Sequence, residues 1–331
     1  MAEIKIAGAG KTGLHPRIVS FLPVGPTKPR VGLILNTDED TPKELITDLN
    51  EVGIRNLTEV LRQNDPVDFI RSRVASQQAL LAQHVYDPNL ITIHAPVDRD
   101  SLNFEVWCAG VTYDDSKRNR NLESNVSPDT LSDYDKVYVD PRPELFFKAT
   151  PRRVNGPNKF VNLRFDSKWM VPEPEFTLVV NPGGKVIGLT ICNDQSSRDI
   201  EGANKLYLPQ AKIFTGGCAV GPGIALDYSE ADARQLEISM EIIRNGQQVF
   251  EGKTTYGKMK EERTFENLTD YLFRENEFPD GVFLSTGTGI IPPPDFTLQM
   301  GDVIRITADG IGTLENVVGK PSRRPSRELE C

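Results

Sequence analysis

Residues 171–194 limit what this chain can fold into more than any other part of the sequence. Two apolar runs rich in β-branched residues, at 176–180 and 186–192, flank the turn-forming tripeptide Pro182-Gly183-Gly184. Such runs, separated by a short Pro/Gly turn, are typical of a β-hairpin. The sequence therefore predicts two antiparallel strands that bring the chain back to its starting point.

Acidic residues lie at the open end of this predicted hairpin. Residues two apart on a strand point to the same face, so Glu173 and Glu175 form a pair. Folding the chain about Gly183 brings Asp194 roughly opposite Pro172, which places it beside Glu173. The hairpin is therefore expected to collect three carboxylates in one place.

Three carboxylates this close repel one another unless a cation lies among them. A set of ligands made only of oxygen atoms suits a hard divalent ion such as Mg²⁺. The alternative is a surface hairpin with solvated acids, which is the commoner fate of two glutamates at this spacing. The charge-dense stretch 193–201, which contains Arg198 and directly follows an apolar strand, favours the metal site.

The composition argues against several classes of partner. The 331 residues include 47 acidic and 38 basic side chains, so nucleic acids and anionic membrane surfaces are not expected partners. The start of the chain lacks an apolar signal region and no run approaches a membrane span, so we expect a cytoplasmic protein that acts on a small metabolite. None of the three histidines lies beyond residue 94, which leaves acid–base chemistry at the acidic site to carboxylates, lysines or a metal-activated water.

Two domains are predicted. Residues 1–98 contain strand-like runs at 17–22 and 30–35 and a helical stretch at 66–85, so we expect a smaller α/β domain there. A polar junction near residue 98 marks the boundary. From there to the end, over 99–331, short strands are separated by Gly and Pro turns, which favours a β-rich α+β catalytic domain over a barrel of β–α units.

Four sequence blocks together resemble the fumarylacetoacetate hydrolase superfamily, over about residues 106–318. They are C-A-G-V-T-Y at 108–113, P-E-L-F-F-K at 143–148, the hairpin with its continuation N-D-Q-S-S-R-D at 193–199, and L-S-T-G-T-G to T-L-E-N at 284–316. The resemblance implies a mixed β-roll catalytic domain that forms a homodimer or a higher homo-oligomer. It also implies one Mg²⁺, or alternatively Mn²⁺, held by Glu173, Glu175 and Asp194.

The same resemblance assigns groups that contact a substrate. Lys148, Lys212 and Arg198 match the family's substrate-binding lysines and arginine, and Thr286-Gly287-Thr288 matches the turn that holds a substrate carboxylate. We interpret Lys148 and Thr288 as partners of that carboxylate. Lys212, with Arg198 nearby, is interpreted as the catalytic cation beside an enolate oxygen. Thr286 has a simpler alternative, which is to cap a turn.

One departure from the family separates two activities. The family's hydrolases carry a His and a Glu that activate the attacking water, and here Ser116 and Asn119 stand at those positions. The local sequence instead resembles the branch that dehydrates 2-keto-3-deoxy sugar acids, in which a serine, an arginine and a glutamate follow the tyrosine. In this chain these are Ser116 and Arg120, predicted to bind substrate, and Glu123, predicted to act as acid or base. The alternative for Glu123 is a solvated helix acid.

The implied activity is a metal-dependent dehydration, for example of 2-keto-3-deoxypentonate to 2,5-dioxopentanoate. A cation bound by the carboxylate and ketone oxygens of a small 2-oxo acid favours loss of a proton from C3, and the resulting enolate expels hydroxide from C4. The main alternative is a C–C bond hydrolase of acylpyruvates or 2,4-diketo acids. A decarboxylase or isomerase of this fold, and a noncatalytic binding protein with a structural metal, are further alternatives.

Overall fold

The computed structural model describes residues 15–36, 44–123 and 131–319. Its strands are β1 (Arg17–Leu22), β2 (Arg30–Asn36), β3 (Glu44–Asp48), β4 (Val85–Tyr86), β5 (Thr92–His94), β6 (Glu105–Gly110), β7 (Glu144–Ala149), β8 (Val154–Asn155), β9 (Lys159–Asn162), β10 (Met170–Val171), β11 (Pro174–Val180), β12 (Val186–Asp194), β13 (Ser196–Ser197), β14 (Cys218–Leu226), β15 (Glu237–Arg244), β16 (Gln247–Thr255), β17 (Val282–Ser285), β18 (Val303–Ala308) and β19 (Gly312–Gly319). The helices are α1 (Leu57–Leu61), α2 (Pro66–Val74), α3 (Gln78–Leu81), α4 (Asp114–Glu123), α5 (Asp133–Val139), α6 (Arg198–Ala203), α7 (Leu208–Lys212), α8 (Glu230–Ala233) and α9 (Phe265–Phe273). Within these ranges, no helix has the length and apolar character needed to cross a lipid bilayer.

Most strands form one large mixed sheet. Its path runs β4-β3-β2-β1-β14-β12-β11-β17-β6-β7, with β5 paired to β1 and β8 paired to β14. The predicted hairpin, β11 and β12, lies at the centre of this path. Both of its strands are buried along almost their whole length, in agreement with their nearly continuous apolar sequences.

A second sheet covers one face of the first. Its strands follow the order β16-β15-β18-β19-β9. Side chains alternate along β11, so Phe176 and Leu178 pack with Met240 and Ile306 of the second sheet in one core. Val179 faces the opposite side, where it belongs to a core shared with the amino-terminal elements. The hairpin is therefore fixed from both sides.

The register of the hairpin changes along its length. Next to the turn, Val180 pairs with Val186, as folding about Gly183 predicts. A β-bulge then interrupts the ladder between Val179 and Val180, and β12 gains one residue relative to β11. Every pair beyond the bulge is consequently shifted by one position.

This shift decides which residues meet at the open end. Beyond the bulge, Pro174 pairs with Asn193. Asp194 therefore lies opposite Glu173, and its backbone N–H donates to the Glu173 carbonyl oxygen at 2.9 Å. The expectation that Asp194 would face Pro172 was wrong by one residue because the sequence pattern did not indicate the bulge.

The amino-terminal strands extend the large sheet. β1 pairs antiparallel with β14, and β2, β3 and β4 follow outward. The helix predicted at 66–85 was wrong in its length, because α2 and α3 are separate. Residues 75–77 between them are exposed, and Gln77 has a nonhelical backbone with φ −126° and ψ 19°. The domain boundary near residue 98 stays a prediction.

Candidate metal centre and active site

Three acidic side chains meet at the open end of the hairpin. Glu173 lies between β10 and β11, Glu175 lies in β11, and Asp194 is the last residue of β12. One ligand atom of each lies within 4.8 Å of the other two, and all three side chains are buried. In the part of the chain that the structure describes, no other group of three His, Cys, Asp or Glu side chains has this geometry. The structure thus brings together the predicted metal ligands.

Two buried lysines contact this cluster. Lys212, at the end of α7, donates to Glu173 Oε2 and Asp194 Oδ2, both at 2.9 Å, and to Ser196 Oγ at 2.7 Å. Lys148, in β7, contacts Asp194 Oδ1 and donates to the backbone carbonyl of Lys212 at 2.6 Å. Burial by itself would lower the pKa of each ammonium, but the charge of Asp194 raises both above the usual range. Both lysines therefore stay protonated.

Glu173 also has two arginine partners. Arg120 Nη2 donates to Glu173 Oε1 at 3.0 Å, and its Nη1 lies 2.9 Å from Glu201 Oε2. Arg198 Nε lies 3.3 Å from the same Oε1 of Glu173. Burial tends to raise the pKa of Glu173, but Lys212 and the two arginines hold it well below its usual range. Glu173 is therefore ionised.

Glu175 differs from its two neighbours because it forms no ion pair with the described residues. Its Oε2 accepts the backbone N–H of Gly287 at 2.9 Å. Burial raises the pKa of Glu175 well above its usual range, and the charges of Asp194 and Glu173 raise it further. A bound divalent cation would reverse this repulsion, so the donor set fits a hard metal ion such as Mg²⁺.

The turn Thr286-Gly287-Thr288 closes one side of the cluster. Gly287 has φ +88°, and a Cβ at this position would lie only 2.1 Å from Thr112 Oγ1, so the turn requires glycine. Thr286 donates its hydroxyl to the Phe176 carbonyl at 2.9 Å, as expected for a residue that caps the turn. Contact of these threonines with a substrate carboxylate stays a prediction.

A small cavity opens onto the carboxylates. Its volume is about 10 Å³, room for roughly one water molecule or one ion. The predicted site residues that line it are Ser116, Arg120, Glu173, Glu175, Asp194, Lys212, Gly287 and Thr288. Lys148 and Arg198 are joined to it through their contacts with Asp194 and Glu173. Glu123 ends α4, but its side chain lies outside the described part of the chain, so its role is untested.

Residues 105–319 match the family described as fumarylacetoacetate (FAA) hydrolase C-terminal. The chain belongs to this family. A 2-dehydro-3-deoxy-D-arabinonate dehydratase of Saccharolobus solfataricus is 40% identical over 79% of this chain and 86% of that protein. A probable 2-keto-3-deoxyxylonate dehydratase of Haloferax volcanii is 42% identical over 71% of this chain and 78% of that protein.

A solved structure of the family supports the same assignment. It is a 2-keto-3-deoxy-D-arabinonate dehydratase complexed with magnesium and 2,5-dioxopentanoate. It matches this chain with a TM-score of 0.70 and 33% identity, over 93% of this chain and all of that one. The relatives confirm the predicted family, its β-rich fold, the dehydratase branch and the expectation of magnesium as cofactor.

Two further carboxylates line the cavity of this family member and were not predicted. Glu144 begins β7 and lies on the same face as Phe146 and Lys148, because side chains alternate along a strand. This period of two could have revealed Glu144, since Lys148 had already been singled out. Glu201 follows Arg198 by three residues on α6, and residues at this spacing are neighbours on a helix.

Gly110 makes room for Glu144. The two residues face each other across β6 and β7, and a Cβ at Gly110 would lie 2.1 Å from Glu144 Oε2. Burial raises the pKa of Glu144 and the charge of Glu201 adds to the effect, while Arg120 and Lys212 oppose it. Glu144 therefore keeps its proton to a higher pH than an exposed glutamate, which suits a proton donor.

Proposed function

We propose that this chain is a Mg²⁺-dependent dehydratase that converts a 2-keto-3-deoxypentonate into 2,5-dioxopentanoate and water. The observation that carries the proposal is the pairing of three buried carboxylates and a buried lysine, Lys212, with a proton donor, Glu144, around one cavity. In the reaction a proton leaves C3, the bond between C4 and its oxygen breaks, and one water molecule is released. Rearrangement of the resulting enone yields the semialdehyde without any redox partner.

Glu173, Glu175 and Asp194 would hold the ion. When bound, Mg²⁺ supplies Lewis-acid polarisation of the 2-oxo group, which acidifies C3. The residues fit this role because their ligand atoms are oxygens within 4.8 Å of one another. Glu175 in particular is a buried carboxylate that the described residues leave without an ion pair.

The lysines supply fixed positive charge next to the reacting oxygens. Lys212 lines the cavity and would face the negative charge that develops on the C2 oxygen, where a preorganised donor lowers the barrier. Lys148 holds Asp194 in place, and we keep its predicted contact with the substrate carboxylate as part of the proposal. Arg198 plays the corresponding part for Glu173.

Two carboxyl groups divide the proton transfers. Glu144 would donate a proton to the hydroxyl that leaves C4, because it lines the cavity and burial favours its protonated form. Glu123 remains the proposed base at C3, an assignment that depends on the sequence resemblance. Ser116 and Arg120 line the same cavity and would orient the hydroxylated part of the substrate.

The hydrolase alternative needs a group that activates water. None of the residues that line the cavity in the described part of the chain is a histidine. Asn119, at the position of the hydrolases' glutamate, is half-buried and donates its side-chain amide to the Asp115 carbonyl at 3.0 Å. These observations favour dehydration over hydrolysis.

A direct assay tests the proposal. The purified chain is incubated with Mg²⁺ and, separately, with a 2-keto-3-deoxypentonate and an acylpyruvate, and the products are identified by mass. We expect the pentonate to lose one water, the acylpyruvate to stay intact, and EDTA to stop the reaction. Cleavage of the acylpyruvate that outruns dehydration would make the chain a hydrolase, and full turnover in EDTA with no bound metal would exclude the metal role.

We also propose that the enzyme works in the cytoplasm as a homodimer or higher homo-oligomer. Both statements carry forward the expectations from the sequence, and the oligomeric state rests on the family resemblance. Size-exclusion chromatography with light scattering would test the oligomeric state. A monomeric mass at micromolar concentration would contradict it.

A further inference from the structure

A second, larger cavity adjoins the first. Its volume is about 250 Å³, compared with about 10 Å³ for the first. Glu144, Glu201 and Leu208 line both cavities, so the two spaces share a wall. The remaining lining residues come from α5 and from Lys205. Exposed Asp133 and Lys205 lie at the outer end of this space.

The substrate's orientation points its distal end toward this space. In the proposed function, on which this inference rests, the carboxylate and ketone lie at Glu173, Glu175 and Asp194, and C4 lies at Glu144. The carbons beyond C4 must then continue past Glu144, which is where the second cavity begins. A further CHOH unit adds a volume on the order of one water molecule, ~30 Å³. The cavity therefore has room for more than the single carbon that a pentonate places there.

We propose that the second cavity is a subsite for the distal end of the substrate, and that it accepts a neutral six-carbon 2-keto-3-deoxyhexonate as well as the pentonate. Leu208 and Val137 give the subsite apolar walls, while Tyr134 and Glu201 offer polar atoms to hydroxyl groups. Such a mixture suits a polyol chain, which presents both CH and OH groups.

The charges around the subsite discriminate against a distal anion. Three carboxylates, Asp133, Glu144 and Glu201, line it together with one cation, Lys205. Lys205 already donates to Asp133 at 2.7 Å, and Arg120 pairs with Glu201 at 2.9 Å. A carboxylate or phosphate at the far end of the substrate would lose hydration there without gaining a free cation among these lining residues, and burial of an uncompensated charge reduces affinity strongly. The subsite is thus selective for neutral tails.

A filling substitution tests the subsite. Val137→Phe places a bulky side chain in the second cavity, away from the groups assigned to metal binding and proton transfer. We expect kcat/KM for the hexonate to fall by about tenfold or more. The loss for the pentonate, which places only one carbon in this cavity, should be smaller by about fivefold or more, because one added or missing group in a pocket typically changes specificity by about tenfold or more. Val139→Phe is the matched control, since Val139 lies on the same helix, is 69% exposed and does not line the cavity. Val137→Leu should give a smaller loss in the same direction, and melting temperatures verify that each variant is folded.

The parent enzyme provides the remaining comparisons. We expect it to turn over hexonate and pentonate with kcat/KM values within about tenfold, and a six-carbon 2-keto-3-deoxy acid that ends in a second carboxylate at least about tenfold less well. If Val137→Phe lowers kcat/KM equally for both neutral substrates, the cavity is only an entry path to the active site, and the subsite proposal is wrong. Turnover of the pentonate without the hexonate, or equal turnover of the dicarboxylate, would overturn this inference alone. Turnover of none of these acids would overturn the proposed function, and the subsite with it.

Discussion

Two of the places where the large sheet buries carboxylates differ in how the negative charge is compensated. At the end of β3, Asp48 is fully buried, contacts Arg30 and accepts the backbone N–H of Asn50 at 2.9 Å. At the end of the hairpin, three carboxylates share four cations drawn from α4, β7, α6 and α7, and still leave Glu175 without an ion pair among the described residues. Both places are buried, but Asp48 has a cation as its partner and Glu175 has none among the described residues.

The difference separates a structural charge from a functional one. Asp48 obtains its partners from the adjacent strand β2 and from the turn that directly follows β3, so it ties these elements together. The cations of the hairpin cluster come from four distant elements. Glu175 still lies close to the negative charges of Asp194 and Glu173. Such crowding of like charge is unfavourable for folding. Groups in a cavity whose pKa values are strongly shifted are characteristic of active sites.

Glu175→Gln should abolish activity. The substitution keeps the shape of the side chain but removes a proposed metal ligand, so the rate should fall to that of the parent enzyme in EDTA. Rates measured across a Mg²⁺ titration, with calorimetry of Mg²⁺ binding, check this expectation. Turnover that still depends on Mg²⁺ with unchanged affinity would remove Glu175 from the ligand set.

The same variant should not harm the fold. Because the folded-state pKa of Glu175 is raised, its favourable neutral form is fully present below the pKa of unfolded glutamate, and that stability is lost as pH rises through the folded-state pKa. In metal-free buffer near neutral pH, Glu175→Gln should therefore melt at the same temperature as the parent or higher. The difference should disappear at acid pH. A lower melting temperature at neutral pH would show that the cluster is structural, like Asp48.

Glu144→Gln should lower kcat by ~10²- to 10⁴-fold, the range expected for loss of a general acid. KM and Mg²⁺ affinity should change little, because the amide keeps the shape of the side chain and removes only its ability to transfer a proton. As a donor, Glu144 must be protonated, so the parent's kcat should fall as pH rises through the raised pKa of Glu144, and this limb should be absent in the variant. A pH profile of kcat checks both statements. A variant as fast as the parent would leave proton donation to another group.

Lys212→Met should lower kcat by ~10²-fold, as removal of a preorganised donor typically does. It should also lower the melting temperature in EDTA, since Glu173 and Asp194 each lose a 2.9 Å hydrogen bond, and saturating Mg²⁺ should restore much of that loss. Lys253→Met, at an exposed lysine of β16, is the matched control and should change neither quantity. If Mg²⁺ does not restore the melting temperature, Lys212 acts mainly by stabilising the fold.

Asp48→Asn should have the smallest effect on activity and a clear effect on stability. It weakens the contact with Arg30, and loss of one buried charged partner costs about 1–3 kcal/mol. Urea unfolding should reveal this loss, while kcat/KM stays within about twofold of the parent. A folded Asp48→Asn enzyme with strongly reduced activity would erase the distinction between the two clusters.

The sequence predicted those parts of the site that depend on local patterns. The turn at Pro182-Gly183-Gly184 and the alternation of Glu173 and Glu175 were sufficient to bring the metal ligands together. The exact facing of Asp194 was missed because a bulge depends on how β12 packs against both of its neighbours. Alternation along β7 could have revealed Glu144, which was not predicted, and its position in the cavity depends on Gly110 across the sheet.

The second cavity was beyond prediction for a similar reason. It is formed by α5, β7, α6 and the segment before α7, which are brought together only by the packing of helices over the sheet edge. No local pattern in any one of these segments indicates a shared space. The helix predicted at 66–85 was also too long, because the exposed residues 75–77 separate α2 from α3.

The bulge between Val179 and Val180 also links the length of the turn to the position of Asp194 at the other end of the hairpin. Glu173 lies seven positions before Val180, a distance of ~23 Å along an extended strand. Because side chains alternate with a strict parity, gaining or losing one residue at the turn would redirect Asp194 from the ligand cluster to the other face of the sheet. A turn ~23 Å from the ligand cluster therefore helps to set which face of the sheet Asp194 occupies, unless a longer loop or the bulge absorbs a change in its length.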